Sequence, residues 1–237
     1  MRGMTLGLIL LLAGAGAKAQ QEPIMPQDPA VLHVDRGYEL YGKGDAEGAI
    51  LEYREALKLK PDYADAHYKL GLALAMKGDT EKAIVEYRQA LKLKPENAEM
   101  HYKLAATLKE KGDVDGAIAE YREAVRIKPD FADANISLGA ALFSKGNLDG
   151  AITAYREAIR AKPDYATAHN NLGIALNNKG KLDEAVTEFR EAVRLKPDYA
   201  SAHYNLGAAL AAQGKREESA REFGEAQRLN PRLKPPQ

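Results

Sequence analysis

Cysteine is missing from this chain, which excludes disulfides, thiolate catalysis, zinc sites built on sulfur and any lipid anchor carried on a thiol. Whatever core forms is held by packing alone. Net charge is missing too: 34 Lys and Arg stand against 34 Asp and Glu, so no overall field draws the molecule onto nucleic acid or an anionic membrane. Nor is any stretch apolar for the roughly 20 residues that a membrane-spanning helix needs. The nearest, Leu6 to Ala17, falls short of that.

That short apolar run is nevertheless informative. Arg2 precedes it and Ala17-Lys18-Ala19 closes it with the small-x-small form that signal peptidase accepts. Residues 1–19 therefore read as a signal peptide cleaved after Ala19, with a retained anchor as the alternative. The expected destination is across an inner membrane, into a periplasm. Losing Arg2 and Lys18 takes the 34 basic residues to 32 against 34 acidic ones, so the mature chain stays close to neutral. Residues 20–29, QQEPIMPQDP, hold three prolines and read as an extended linker. Ordered structure is expected from about Ala30.

Beyond the linker the chain is periodic. Proline recurs at 61, 95, 129, 163, 197 and 231, always 34 residues apart, and a fixed period of this size marks a stacked array. Placing each proline at position 32 of a unit gives six units, 30–63, 64–97, 98–131, 132–165, 166–199 and 200–233, with 234–237 as a tail. Position 8 is small throughout (Gly37, Gly71, Ala105, Gly139, Gly173, Gly207). Positions 20 and 27 are alanine in every unit apart from Ser219. Position 11 is always leucine, and position 24 is always aromatic (Tyr53, Tyr87, Tyr121, Tyr155, Phe189, Phe223). Small columns let two helices approach and large ones fill the space between them. Glycine at position 15, from Gly44 to Gly214, ends the first helix of each unit. Each unit is predicted to be a helix hairpin.

The Leu70-Gly71 pair, the alanines Ala83 and Ala90, the aromatic Tyr87 and the terminal Pro95, repeated in register, make the chain resemble the tetratricopeptide repeat family. The resemblance implies an all-α, right-handed superhelical solenoid of six hairpins. It also departs from the family. Tryptophan is absent, and the position it usually takes holds His33, His67, His101, Asn135, His169 and His203; leucine stands at position 11 where the family favours tyrosine. The ends read as polar caps, because Arg36 and Glu39 replace apolar or small residues in the first unit and Arg216, Ala220 and Gln227 do so in the last. The array is expected to be complete as written.

Little in the sequence suggests chemistry. All five histidines share one column, and since packed helix axes lie about 8–10 Å apart, one histidine per unit does not converge on a metal with ligand bonds near 2 Å. Half-buried packing rings are expected instead. Gly37-x4-Gly42-Lys43 begins like a phosphate loop, but Gly44 stands where Ser or Thr is required, and the segment leaves a helix rather than joining a strand to one. No cofactor is implied, and no hydrolase elbow or metalloprotease motif occurs; the chain reads as a non-enzyme. The Arg54, Arg88, Arg122, Arg156 and Arg190 column, interleaved with Glu55, Glu123 and Glu157, reads as a solvated face rather than a nucleic-acid stripe.

The resemblance also implies a concave groove lined by the first helices, at positions 2, 5, 6, 9, 12 and 13. Its N-terminal half then offers Asp65, Tyr68, Lys69, Glu99, Tyr102 and Lys103, charged and aromatic. Its C-terminal half offers Asn170, Asn171, Asn177, Asn178, Tyr204 and Asn205. An amide carries both donor and acceptor, which suits the backbone of an extended peptide or the hydroxyls of a glycan. The clamp that some family members close on a carboxylate is not expected, because position 9 reads Leu72, Ala106 and Ala140 with no asparagine. Asn171 and Asn205 resemble the asparagine ladder of repeat domains in sugar-transferring enzymes of the family. The expected function is a protein-interaction scaffold or assembly factor of a bacterial envelope, holding extended segments of other proteins. The alternative is a glycan-binding helper of a polysaccharide export or cell-wall machine. Homodimerisation is left open.

Overall fold

In the computed structural model, residues 28–234 are described; the signal segment and residues 20–27 of the linker lie outside them. Twelve helices follow one another, and among the described residues there is no strand. They pair as α1 (Pro29–Gly42) with α2 (Ala46–Leu59), α3 (Ala64–Lys77) with α4 (Thr80–Leu93), and α5 (Ala98–Glu110) with α6 (Val114–Ile127). Then come α7 (Ala132–Ser144) with α8 (Leu148–Ala161), α9 (Ala166–Asn178) with α10 (Leu182–Leu195), and α11 (Ala200–Ala212) with α12 (Arg216–Leu229). These are the six hairpins. The expected linker gives up its last two residues to α1: the Asp28 carboxylate accepts from the Ala30 N–H at 2.9 Å, and Pro29 sits at the first helical position, where no N–H is needed.

The columns now acquire contacts. A Cβ placed on Gly37, Gly71, Gly139 or Gly173 would lie 2.5 or 2.6 Å from the ring of Tyr53, Tyr87, Tyr155 or Phe189. Position 8 is thus small because the position 24 ring of the same hairpin lies flat against its backbone. Those rings are 1 to 3% exposed in hairpins one to five, each burying roughly 150–250 Å². The alanines of positions 20 and 27 are almost fully buried. The one serine among them, Ser219, remains satisfied by donating to the Gly207 carbonyl at 2.8 Å. At position 15 the six glycines adopt φ of 76 to 91°, the left-handed turn that releases the chain into the second helix.

Each helix packs on its neighbours in the chain, and most successive first helices also approach one another closely, whereas successive second helices stand farther apart and are joined by long side chains, as Arg156 to Glu184 at 3.0 Å and Arg190 to Glu218 at 2.7 Å. First helices therefore lie on the inner side of the curve. Short loops keep adjacent helices antiparallel. Along one edge a polar contact repeats at every junction between hairpins: Lys77 to Glu47 at 2.7 Å, Lys111 to Glu81 at 3.5 Å, Lys145 to Asp115 at 3.0 Å, Lys179 to Asp149, and Gln213 donating to Asp183 at 2.6 Å. Each joins position 14 of one hairpin to position 18 of the hairpin before.

Candidate binding groove

The inner surface combines rings, ions and amides. In the N-terminal half the Tyr68 hydroxyl donates to Glu99 at 3.0 Å and its ring tilts against Tyr87, with centroids 5.9 Å apart. Tyr102 stands between Tyr121 and Phe131, at 5.8 and 5.1 Å. The Lys69 ammonium lies 4.4 Å from the Tyr38 ring centre, and Lys103 lies 5.8 Å from that of Tyr102. Asp65 accepts from Lys94 at 3.0 Å. Most of the charges on this half are thus already held by a neighbour.

Farther along, Tyr165 closes hairpin four onto the groove edge by donating to Asp133 at 2.6 Å. That bond, with burial and the nearby negative charge, pushes the phenol up to about 12. Lysines at position 31 lie over the rings of position 34, as Lys128 over Phe131 at 5.4 Å and Lys162 over Tyr165 at 4.6 Å. The edge is thus aromatic with its faces partly covered by cations.

The amides divide into two groups. Asn170 does not stand in the groove as expected: it is 3% exposed. Its side-chain oxygen accepts from Asn205 at 2.9 Å and its nitrogen reaches the Asn171 oxygen at 3.4 Å. A buried amide here must find partners, and it finds them in its two half-exposed neighbours. Because the Asn171 oxygen and one Asn205 N–H are engaged, Asn171 turns its NH₂ outward and Asn205 keeps a free oxygen. Asn177 and Asn178 are exposed and outside this network; Asn178 donates back to the Ile174 carbonyl at 2.9 Å. Beside Asn171, a small recess is lined by Ala140, Phe143, Tyr155 and Ile174. Tyr204 packs edge-on to Phe223 at 5.4 Å.

On the other side of the hairpins the histidine column carries a device that the sequence reading missed. Each Nδ1 meets a glutamate 19 residues later: His33 with Glu52, His67 with Glu86, His101 with Glu120, His169 with Glu188 and His203 with Glu222, at 2.6 or 2.7 Å. In four of them Nε2 also meets a proline carbonyl, of Pro61, Pro95, Pro163 or Pro197, at 2.9 or 3.0 Å. In His101 and His169, two oxygen acceptors on one ring favour the doubly protonated imidazolium, which donates to both. Each such ring ties the loop before a hairpin to both of its helices. For His101 burial favours the neutral ring, but the Glu120 and Pro95 contacts outweigh it and raise the pKa; for His169 the Glu188 bond leads in the same direction. Hairpin four lacks the device at both ends. Asn135 replaces histidine and donates to the carbonyls of Pro129 and Phe131 at 3.1 and 3.2 Å, and Ala154 replaces the glutamate. Among the described residues no three His, Cys, Asp or Glu side chains converge as a metal site.

Comparison with known proteins agrees with this architecture. The family model described as TPR repeat matches residues 37–78, 74–112, 107–146, 139–180 and 175–214, and the one described as Tetratricopeptide repeat matches 200–233. No protein of curated function matches the chain. Among solved structures, MamA is similar at 29% identity and TM-score 0.66, over 69% of this chain and 95% of that one. YrrB, described as a TPR protein with an unusual peptide-binding site, superposes at TM-score 0.67 and 23% identity, over 76% of this chain and 92% of its own. PilF of Pseudomonas aeruginosa shares the fold at TM-score 0.72 and 19% identity, over 86% of this chain and 92% of that one. Six stacked hairpins with the family's small and aromatic columns in register, matched by its models over most of the length, make this chain a member of the tetratricopeptide repeat family.

Proposed function

We propose that the protein is a non-catalytic scaffold or assembly factor of a bacterial envelope that holds extended segments of other proteins in its groove. The observation that carries this reading is the polarity of the Asn205, Asn170 and Asn171 network. One outward NH₂ and one free oxygen offer a donor and an acceptor to the backbone of an extended chain, whatever its side chains. The recess beside Asn171 has room for an apolar side chain of the same segment. The peptide-binding site of YrrB supports the same class of ligand, and the apolar run at residues 6–17 supports export.

The test is to pan a displayed library of random twelve-residue peptides on residues 20–237 and to measure the selected peptides by fluorescence polarisation. Changing Tyr102, Asn171 and Asn205 together to alanine is expected to weaken binding by about 5- to 30-fold, in line with roughly 1–2 kcal/mol lost over three polar and ring contacts. Equal binding by the variant refutes the groove assignment. The same rings and amides also fit sugar hydroxyls. Retention on a glycan array that the triple variant loses, with no peptide selected, would reassign the ligand to polysaccharide.

A further inference from the structure

The polar ladder between hairpins continues beyond both ends of the array. Position 14 meets the acid at position 18 of the preceding hairpin at all five junctions. Lys43 holds position 14 of the first described hairpin and Glu217 holds position 18 of the last, so among the described residues neither faces a further hairpin. Among the described residues neither has an ion-pair partner. The two ends thus carry the two halves of the contact that every internal junction makes.

The rest of each end face follows the same complementarity. With adjacent helices antiparallel and position 14 beside position 18, each turn back along a first helix is one turn forward along the second helix it faces. Position 7 therefore lies near positions 24 and 25. At the N-terminal end that residue is the exposed Arg36. At the C-terminal end those positions hold Phe223 and Gly224, in a shallow recess of about 460 Å³ that Arg216, Ser219, Ala220 and Gln227 also line. Alanine and glycine on α12 open that space, where Phe223 is 8% exposed. Glu39, one turn before Lys43, and Arg221, one turn after Glu217, bring a second pair of opposite charges to the same corner. The residues that make each end polar on its own make the two ends fit each other.

We propose that the N-terminal face of one copy docks head to tail on the C-terminal face of a second copy, in the register of an internal junction. Lys43 meets Glu217 of the second copy, and Arg36 enters its recess. Such a contact does not close on itself, so copies add in a line. Exposed ion pairs contribute little each and are screened by salt, so assembly grows with concentration and recedes as salt is added. It uses the end faces and leaves the groove open, and is therefore independent of the function proposed above.

Sedimentation velocity on residues 20–237, which keep every residue of the described core, tests this. The expected result is a sedimentation coefficient that rises with concentration at low salt. Two double variants invert one face each: Glu39→Arg with Lys43→Glu, and Glu217→Lys with Arg221→Glu. Each alone opposes like charges at every junction and is expected to weaken association by about tenfold. An equimolar mixture restores opposite charges at each junction between unlike copies, and is expected to recover the wild-type behaviour. The groove triple variant is expected to assemble as wild type does. A wild-type chain that stays monomeric at millimolar concentration overturns the proposal. So does association that persists in both double variants, or a mixture that recovers nothing.

Discussion

Replacing Glu120 by alanine, His101 by asparagine, and both together converts hairpin three into the pattern that hairpin four already has. Asparagine retains a bond to the proline carbonyl, as Asn135 does, so the cycle isolates the contact between ring and carboxylate. That contact is 2.6 Å long, and its two side chains are 12 and 27% exposed, too buried for solvent to erase it. A hydrogen bond to a charged group is worth about 1.5–3 kcal/mol, so a coupling of about 1.5 kcal/mol is expected near pH 6. The folded pKa of His101 is raised. Its contribution to stability is therefore fully present below the unfolded value of about 6.5 and is lost as pH rises through the folded value. Near pH 9 the neutral ring keeps one N–H for two acceptors, and the coupling is expected to fall to about half. Urea unfolding of the four proteins at both pH values gives the coupling as the departure from additivity. Long-range nitrogen-proton NMR of the wild type at the lower pH should show both ring nitrogens protonated. A coupling below about 0.5 kcal/mol at both pH values, or one that does not change with pH, refutes the imidazolium clip.

Further outcomes are expected from the same contacts. Gly71→Ala puts a Cβ 2.6 Å from the Tyr87 ring and is expected to lower stability by about 1–3 kcal/mol, although alanine ordinarily favours a helix; thermal melting reads the sign. Asp113→Ala removes the carboxylate that accepts from the Gly116 N–H at 2.9 Å and is expected to cost about 1 kcal/mol. Asp79→Ala, at a helix start with no such bond but with a 2.6 Å contact to Lys82, should lower the urea midpoint less than Asp113→Ala does. Gly112→Ala forces a side chain to φ of 91° and is expected to cost about 1–2 kcal/mol, read by the same melts.

Much of the fold was legible because stacking repeats the same demand every 34 residues. The small column at position 8 and the aromatic column at position 24 announced a close approach, although only the structure shows that they touch each other. The histidine and glutamate columns were equally visible, and they vary together: where Asn135 stands, Ala154 stands too. The signal went unread because a spacing of 19 belongs to no helical period; it spans a turn and joins two helices. The groove was harder to read. Position 5 holds Tyr68, Tyr102 and Tyr204, so Asn170 looked like one more surface group. A short side chain at that place sinks beneath its neighbours and becomes the group that orients them. The ladder along the outer edge escaped notice because it pairs residues of different hairpins, and no column by itself tells which other column it faces.

Hairpin four stands apart in one further respect. In a linear array each unit is coupled only to its neighbours, so the whole behaves as a row of linked springs whose weakest member decides where it gives. Acidification tightens hairpins three and five through His101 and His169. It leaves untouched the unit between them, where Asn135 and Ala154 carry no proton to gain. Acid therefore firms the two flanks of hairpin four and not hairpin four itself. Hairpin four is also where the charged and aromatic half of the inner surface meets the amide half, so the boundary between the two keeps the same cohesion whatever the pH while its flanks do not.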